Sequence, residues 1–166
     1  SFIDGAWAPP GAHRLPLHDP ATGQPLGELA EADASEVDRA VRAARVAFDD
    51  GRWCGLSVAR RQQVLMAIHD AVLAHRDELA QIESACTGLP LAQVQGFYIP
   101  RAAHNFQFFA EFIGQVGGDL YTQESGYVTT VSREPVGVAA LLGPWNAPVT
   151  LCSMKIAAAI AFGNTC

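Results

Sequence analysis

Residues Val136–Thr165 read VGVAALLGPWNAPVTLCSMKIAAAIAFGNT and contain the clearest fold signal in the chain. The run Val136–Leu142 is apolar without alternation, which is typical of a parallel strand buried on both faces. Gly143–Asn146 then forms a tight corner, and Pro148 suits the first turn of a helix that continues to about Phe162. An apolar strand, a tight corner and a helix make up the first half of a β-α-β unit, so this stretch predicts an α/β fold.

The corner itself is a candidate binding site. Open α/β sheets bind ligands in the crevice at the carboxyl ends of their parallel strands. Asn146 lies at that position, and its amide can either cap the following helix or donate a hydrogen bond into the crevice. Local physics alone favours the architectural interpretation, in which Asn146 is the N-cap, Pro148 starts the helix and Trp145 plugs the gap.

Short strands are predicted on either side of the helical part of the chain. The first thirty residues place the turn sequences Asp4-Gly5, Pro9-Pro10-Gly11 and Asp19–Gly23 between short apolar segments, which predicts two or three small strands. Residues Leu120–Val131 are β-like around Ser125-Gly126 and predict a hairpin.

Helices are predicted between these strands. Asp33 and Ser57 are suitable N-caps for the first two, and Gly88-Leu89-Pro90 is a stop signal after the second. A third helix is predicted to start near Pro100 and to end before Gly117-Gly118. Apolar residues recur at helical spacing in all three. The predicted buried positions are Val37, Val41, Ala44 and Phe48 in the first helix, Leu65, Ile68 and Val72 in the second, and Phe106, Phe109 and Ile113 in the third.

Composition excludes several classes of protein. The chain has 166 residues with a formal net charge of −6, which argues against a nucleic-acid-binding or anionic-membrane surface. Arg60-Arg61 is the only basic pair and is predicted to face solvent. The longest apolar stretch, Ile156–Phe162, is too short to cross a bilayer.

Cysteine and histidine usage indicates a protein without a metal site in a reducing compartment. The four cysteines are Cys54, Cys86, Cys152 and Cys166, and no two of them have C-x-x-C spacing. Four are too few for a disulfide scaffold, so a cytoplasmic location is expected. None of the five histidines has a partner at the spacing of metal ligands.

Six sequence segments, taken in order, resemble motifs of the aldehyde dehydrogenase superfamily. They are FIDGAW at Phe2–Trp7, HDPATG at His18–Gly23, ESACTGLP at Glu83–Pro90, REPVGV at Arg133–Val138, GPWNAP at Gly143–Pro148, and KIA with AFGNT between Lys155 and Thr165. Each motif is moderately specific, whereas their joint order along the whole chain is highly specific. Leu89 stands where the family usually has Lys.

The resemblance implies a domain organisation. Residues 1–116 would form the N-terminal part of a Rossmann-like cofactor-binding domain, and residues 136–166 would add its first strand-helix unit. Residues 117–135 would form a hairpin that builds the interface of a homodimer or homotetramer.

The resemblance also implies roles at the corner, with NAD or NADP as the cofactor. Asn146 would be the side-chain donor of an oxyanion hole for a cysteine thiolate adding to an aldehyde. Leu142, Pro144 and Trp145 would line the cofactor crevice. Lys155 matches a family lysine that would give electrostatic help or relay a proton, although an ordinary salt bridge is an equally good interpretation.

Two departures from the family motif bear on substrate size. Ala147 replaces the usual aromatic residue after Asn146, and Met154 replaces the usual Trp before Lys155. Asn146, Thr150 and Met154 follow helical spacing. If that face lines the substrate tunnel, the tunnel is wide and suits a bulky or aromatic aldehyde. Alternatively, compensating residues elsewhere refill the space.

The resemblance places the rest of the family's machinery after Cys166. A Lys-Pro-Ser-Glu motif that binds the cofactor ribose, a glycine-rich phosphate loop, a glutamate base and the nucleophilic cysteine would all follow. The 166-residue chain is therefore expected to be an inactive part of an NAD(P)-dependent aldehyde dehydrogenase. The alternative is a truncated, non-catalytic relative that acts as an interaction module through its 117–135 hairpin.

Overall fold

The N-terminal region forms two small antiparallel sheets in a computed structural model that describes residues 1–9 and 11–166. β1 (Phe2–Ile3) pairs with β2 (Ala6–Trp7), and β3 (Arg14–His18) pairs with β4 (Pro25–Ala30). The predicted small strands are confirmed, with four where two or three were expected. Pro10, part of the predicted Pro9-Pro10-Gly11 turn, lies outside the described residues.

The first helix, α1 (Ala34–Asp49), starts at its predicted cap. The Asp33 carboxylate accepts a hydrogen bond from the Glu36 N–H at 2.8 Å. The predicted apolar face is wrong in part, because Val37 and Val41 are more than half exposed. The less exposed side of α1 carries small residues that line a cavity with Trp53 and Ile160, namely Ala40, Ala43, Ala44 and Ala47, of which Ala44 was predicted.

Two further helices follow, α2 (Val58–Ala74) and α3 (Arg76–Thr87). Ser57 caps α2 as predicted, and Gly88 ends α3 with φ +77°. The prediction that Arg60-Arg61 faces solvent is wrong for Arg61. Its guanidinium is half-buried and donates to the carbonyls of Ala161, Leu56 and Cys54. Arg61 therefore binds the carboxyl end of the last helix, which ends at Ala161.

The third predicted helix begins earlier than Pro100. The helical segment runs without a break through α4 (Leu91–Gln93), a π-helical turn (Val94–Tyr98) and α5 (Ile99–Ile113). Within the π turn, the Ile99 N–H donates to the Val94 carbonyl five residues back. Pro100 has no N–H to donate, and we attribute its tolerance inside the segment to this change of pitch.

The predicted hairpin is confirmed. β5 (Asp119–Thr122) pairs antiparallel with β6 (Val128–Val131), with Asp119 opposite Val131. Apolar side chains on both strands and in the loop are more than two-fifths exposed: Leu120, Tyr121, Tyr127, Val128 and Val131.

The last helix, α6 (Pro148–Ala161), confirms the predicted strand-corner-helix order, but the strand is much shorter than predicted. Pairing is limited to one parallel bridge between Val138 and Thr165, with Ala139 N–H donating to the Thr165 carbonyl at 2.8 Å. Val136 and Leu142 are more than four-fifths exposed, so the expectation of burial on both faces is wrong for these residues.

Two apolar clusters hold the helices together. The larger joins α2, α5 and α6 and consists of Leu65, Phe106, Ala110, Ile113, Ala157 and Ala161, which confirms the predicted aromatic face of α5. The smaller consists of Ala80, Val94 and Ile99, against which Val149 of α6 packs. Burial of these side chains fixes the orientation of α6, and with it the corner that precedes the helix.

Candidate active site

The residue that precedes the corner, Leu142, is bonded to α6. The Lys155 ammonium group donates a hydrogen bond to the Leu142 carbonyl. No ion pair of Lys155 with a carboxylate occurs among residues 1–9 and 11–166. The salt-bridge interpretation of Lys155 is therefore not realised, and the ammonium group instead tethers the end of the apolar run.

Gly143 lies close to α6. A Cβ added at this position would overlap the sulfur of Cys152, whereas the next atom, the Cys152 Cβ, would be 3.7 Å away. A side chain at residue 143 would therefore require the Cys152 side chain to rotate or the corner to shift. Together, Gly143 and Lys155 place the corner directly over the first two turns of α6.

Asn146 does not cap the helix, so that interpretation is wrong. The N-cap residue of α6 is Ala147, which has φ −154°, and no side chain makes a cap hydrogen bond. Asn146 is exposed, and its amide has no hydrogen-bond partner among the side-chain bonds of the described residues. The amide is thus free for an external acceptor, and it stands beside the positive end of the helix dipole, where an anion is stabilised.

The other predicted crevice residues also face outward. Leu142 and Trp145 are 83% and 87% exposed, and Pro144 is exposed as well. Large apolar side chains that stand this far out of a folded chain leave an unburied surface suited to a flat ring system. The structure therefore leaves the predicted crevice positions accessible.

The three predicted tunnel residues differ in their surroundings. Ala147 and Thr150 are buried, and the Thr150 hydroxyl donates to the Tyr98 carbonyl at 2.8 Å. Met154 is 41% exposed. Asn146 lies before the helix, so only residues from Pro148 onward follow strict helical geometry. Met154 is the one member of the set whose side chain can reach an external ligand.

Two buried polar residues near α6 were not predicted as site residues. Asn105 of α5 donates to the Thr150 carbonyl and to the Ser153 hydroxyl, both at 3.0 Å. Glu83 of α3 is 2% exposed, and burial raises the pKa of its carboxyl group against a smaller opposing effect of the Val149 N–H. The sequence identified Glu83 only as part of the Glu83–Pro90 motif, because no local pattern shows that α3 lies next to the start of α6.

The four cysteines are free thiols in the structure. Cys54 and Cys86 precede Asn146 in the chain, whereas Cys152 and Cys166 follow it. Only Cys152, beside Gly143, is shown to lie close to the corner. Cys166 is exposed, but desolvation by neighbouring atoms raises the pKa of its thiol, which disfavours the reactive thiolate.

Within the described ranges, no group of three or more His, Cys, Asp or Glu residues is arranged to hold a metal ion. No helix in the part of the chain described is long and apolar enough to cross a membrane. A cavity of about 360 Å³ borders Trp53, Ile160 and Cys166, but its lining includes no residue of the corner.

Comparisons with known proteins identify the family of the chain. A model of the aldehyde dehydrogenase family matches residues 7–166. Aldehyde dehydrogenase family 2 member B4 from Arabidopsis thaliana is 36% identical over 165 residues, which are 99% of this chain and 30% of the relative. 5-Carboxymethyl-2-hydroxymuconate semialdehyde dehydrogenase from Escherichia coli is 37% identical over 147 residues, which are 89% of this chain and 31% of the relative.

The fold comparison gives the same result. The structure of PnpE in complex with nicotinamide adenine dinucleotide superposes with a TM-score of 0.91 at 34% identity, covering 99% of this chain and 34% of PnpE. The chain belongs to the aldehyde dehydrogenase family. It spans about a third of the length of the curated relatives it matches.

Proposed function

We propose that residues 1–166 are the N-terminal part of an enzyme that oxidises an aldehyde to a carboxylic acid with NAD(P)⁺. The observation that carries this proposal is the exposed, unpartnered amide of Asn146 beside the start of α6, in a chain of this family. Residues 1–116 and 136–166 would belong to the cofactor-binding domain. The catalytic domain would come from sequence beyond residue 166.

In this mechanism Asn146 stabilises developing negative charge. A cysteine thiolate from the catalytic domain adds to the aldehyde carbon, and the carbonyl oxygen becomes an oxyanion. The Asn146 amide donates a hydrogen bond to that oxygen, and the positive end of α6 lowers its energy further. The thioester that follows oxidation is hydrolysed by water with a glutamate as base.

The corner also fits the family's cofactor. NAD(P)⁺ supplies the hydride acceptor when it is bound. Leu142, Pro144 and Trp145 present apolar surface at the carboxyl end of the apolar run, and this surface would pack against a flat ring. Lys155, through its bond to the Leu142 carbonyl, would hold this wall in place.

The 117–135 hairpin would form the interface of a homodimer or homotetramer. Its exposed apolar side chains, among them Tyr127 at 72% exposure, support an interface role. The same feature supports the second candidate, a truncated non-catalytic relative that uses the hairpin as an interaction module. The four free thiols support the expectation of a reducing, cytoplasmic location.

The reading frame after codon 166 separates the two candidates. The enzyme requires the frame to continue into a Lys-Pro-Ser-Glu motif, and the interaction module requires an in-frame stop. Sequencing of the transcript therefore decides between them without any assay.

Substrate size is the finer part of the proposal. Met154, whose side chain is exposed, would leave the tunnel wide enough for a bulky or aromatic aldehyde, and the buried Ala147 would add no bulk beside it. In the complete enzyme, Met154→Trp is expected to lower kcat/KM about tenfold for a bulky aldehyde and less than about twofold for a short one, because the indole ring fills tunnel volume. Steady-state kinetics with an aldehyde series measure this difference.

Met154→Leu is the matched control, since it changes shape but hardly changes volume. It should leave both kcat/KM values close to those of the wild type. Equal losses for long and short aldehydes in Met154→Trp would remove Met154 from the tunnel wall.

A further inference from the structure

The first turn of α6 has no cap from its own sequence. Ala147 occupies the N-cap position, and a methyl group cannot accept a hydrogen bond. Pro148 has no N–H, and the first backbone bond of the helix runs from the Leu151 N–H to the Ala147 carbonyl at 3.1 Å. The N–H groups of Val149 and Thr150 are therefore the donors that need an acceptor from elsewhere.

A carboxyl group from another helix faces one of these donors. Glu83 of α3 is 2% exposed, and Val149 packs against the cluster that contains Ala80, three residues before Glu83 on the same helix. Burial raises the pKa of the Glu83 carboxyl group, and the nearby Val149 N–H opposes that effect in part. Neither Glu83 oxygen completes a well-formed hydrogen bond, and these are the two buried side-chain oxygens without a partner in the described ranges. A buried carboxylate in this position is costly unless the facing helix start stabilises it.

Other hydrogen bonds hold α6 in place, but none of them uses the free N–H groups of its first turn. The Thr150 hydroxyl donates to the Tyr98 carbonyl, and Asn105 donates to the Thr150 carbonyl and to Ser153. Each of these bonds uses a side chain or a carbonyl of α6. Glu83 therefore provides the acceptor group on the side of the first turn where the free N–H groups lie.

We propose that Glu83 is a positioning residue for Asn146, because its carboxyl group anchors the first turn of α6 through the Val149 N–H. Asn146 is three residues before Val149, so movement of that turn moves the amide relative to the reacting carbonyl oxygen. The inference rests on the oxyanion role proposed for Asn146. Glu83 itself touches neither substrate nor cofactor in this proposal.

Two substitutions at Glu83 test the anchor in the complete enzyme. Glu83→Ala removes the acceptor and is expected to lower the single-turnover rate of aldehyde oxidation about tenfold, because small misplacements of a catalytic group are costly. Glu83→Gln keeps an acceptor oxygen and should stay within about twofold of the wild type. Glu36→Ala is the matched control, since Glu36 is also a buried helical glutamate but lies in the first turn of α1.

The double variant Glu83→Ala/Asn146→Ala tests whether Glu83 acts through Asn146. If it does, Glu83→Ala causes no further loss in the Asn146→Ala background. An equal loss in both backgrounds, or no loss in the Glu83→Ala single variant, overturns the inference. The kinetic comparison is made on variants that retain the wild-type melting temperature within a few degrees, and Glu83→Gln provides the comparison if Glu83→Ala does not fold.

Hydrogen–deuterium exchange keeps this inference separate from the proposed function. Glu83→Ala should speed exchange in the peptide covering residues 146–151, whereas Glu83→Gln and Glu36→Ala should leave it unchanged. If Asn146→Ala alone keeps the wild-type rate, the oxyanion role fails whatever the exchange shows. Unchanged exchange in Glu83→Ala shows that the carboxyl group is not the anchor, whatever the kinetics show.

Discussion

Asn146→Ala in the complete enzyme is expected to lower kcat about 10²–10³-fold while the protein remains folded. The amide donates to an oxygen that carries full negative charge only in the transition state, so its loss raises the barrier rather than weakening substrate binding. KM should change much less than kcat. The result is measured by steady-state and single-turnover kinetics on a preparation whose thermal melting is recorded in parallel.

Substitution of Asn146 should lower catalysis but hardly change the stability of the protein. The amide of Asn146 caps no helix and bonds to no described residue, so its removal should change the free energy of unfolding by less than about 0.5 kcal/mol. Asn164 at the other end of α6 is the matched control. Its side chain accepts from the Gly137 N–H at 3.1 Å and donates to the Ala159 carbonyl at 3.2 Å.

The control should show the reverse behaviour. Asn164→Ala is expected to cost about 1 kcal/mol of stability because it leaves the Gly137 N–H without its acceptor and removes the side-chain bond to the Ala159 carbonyl, which keeps the Asn164 backbone N–H as a partner. The assay needs a substrate for which chemistry rather than cofactor release limits turnover, since slow release would mask the loss in Asn146→Ala. A near-native single-turnover rate in folded Asn146→Ala would show that the corner is architectural.

Local signals predicted the helices well where a cap or a stop lies in the sequence. Asp33 and Ser57 each accept a hydrogen bond at the start of their helix, and Gly88 ends α3 in the left-handed conformation. Pro100 misled the prediction because a π-helical turn, which has no clear sequence signature, lets the helix run through it. Spacing could not show that alanines form the less exposed side of α1 either, since the choice of face depends on its tertiary neighbours.

The site was predictable only in its local part. The order of Leu142, Asn146 and Pro148 in the sequence placed the corner correctly, because these residues are close in the chain. Glu83 meets the start of α6 across 66 residues of sequence, from 83 to 149, and no periodicity reports such a contact. Arg61 is similar, since its bond to the Ala161 carbonyl joins residues that are 100 positions apart.

The purified 166-residue chain is expected to give no measurable aldehyde oxidation. The proposed mechanism needs a thiolate aligned with the Asn146 amide, a phosphate loop and a glutamate base, and the family resemblance places all three after Cys166. Cys54 does not substitute, because its thiol is directed at the Phe48 carbonyl at 3.3 Å. Desolvation raises the pKa of the Cys166 thiol, which is therefore a weak nucleophile at neutral pH.

Cys152 provides the strictest test of the expected inactivity of the 166-residue chain. It lies beside Gly143 and six residues after Asn146, so it is the thiol of this chain that is shown to lie near the corner. NADH and NADPH absorbance is followed over an aldehyde panel with the wild-type chain and with Cys152→Ser, and the complete enzyme serves as the positive control. Sustained turnover that disappears in Cys152→Ser would make Cys152 the nucleophile and would contradict the proposed division of the active site. A flat trace for both proteins is the expected result, since the family resemblance places the phosphate loop and the glutamate base after Cys166.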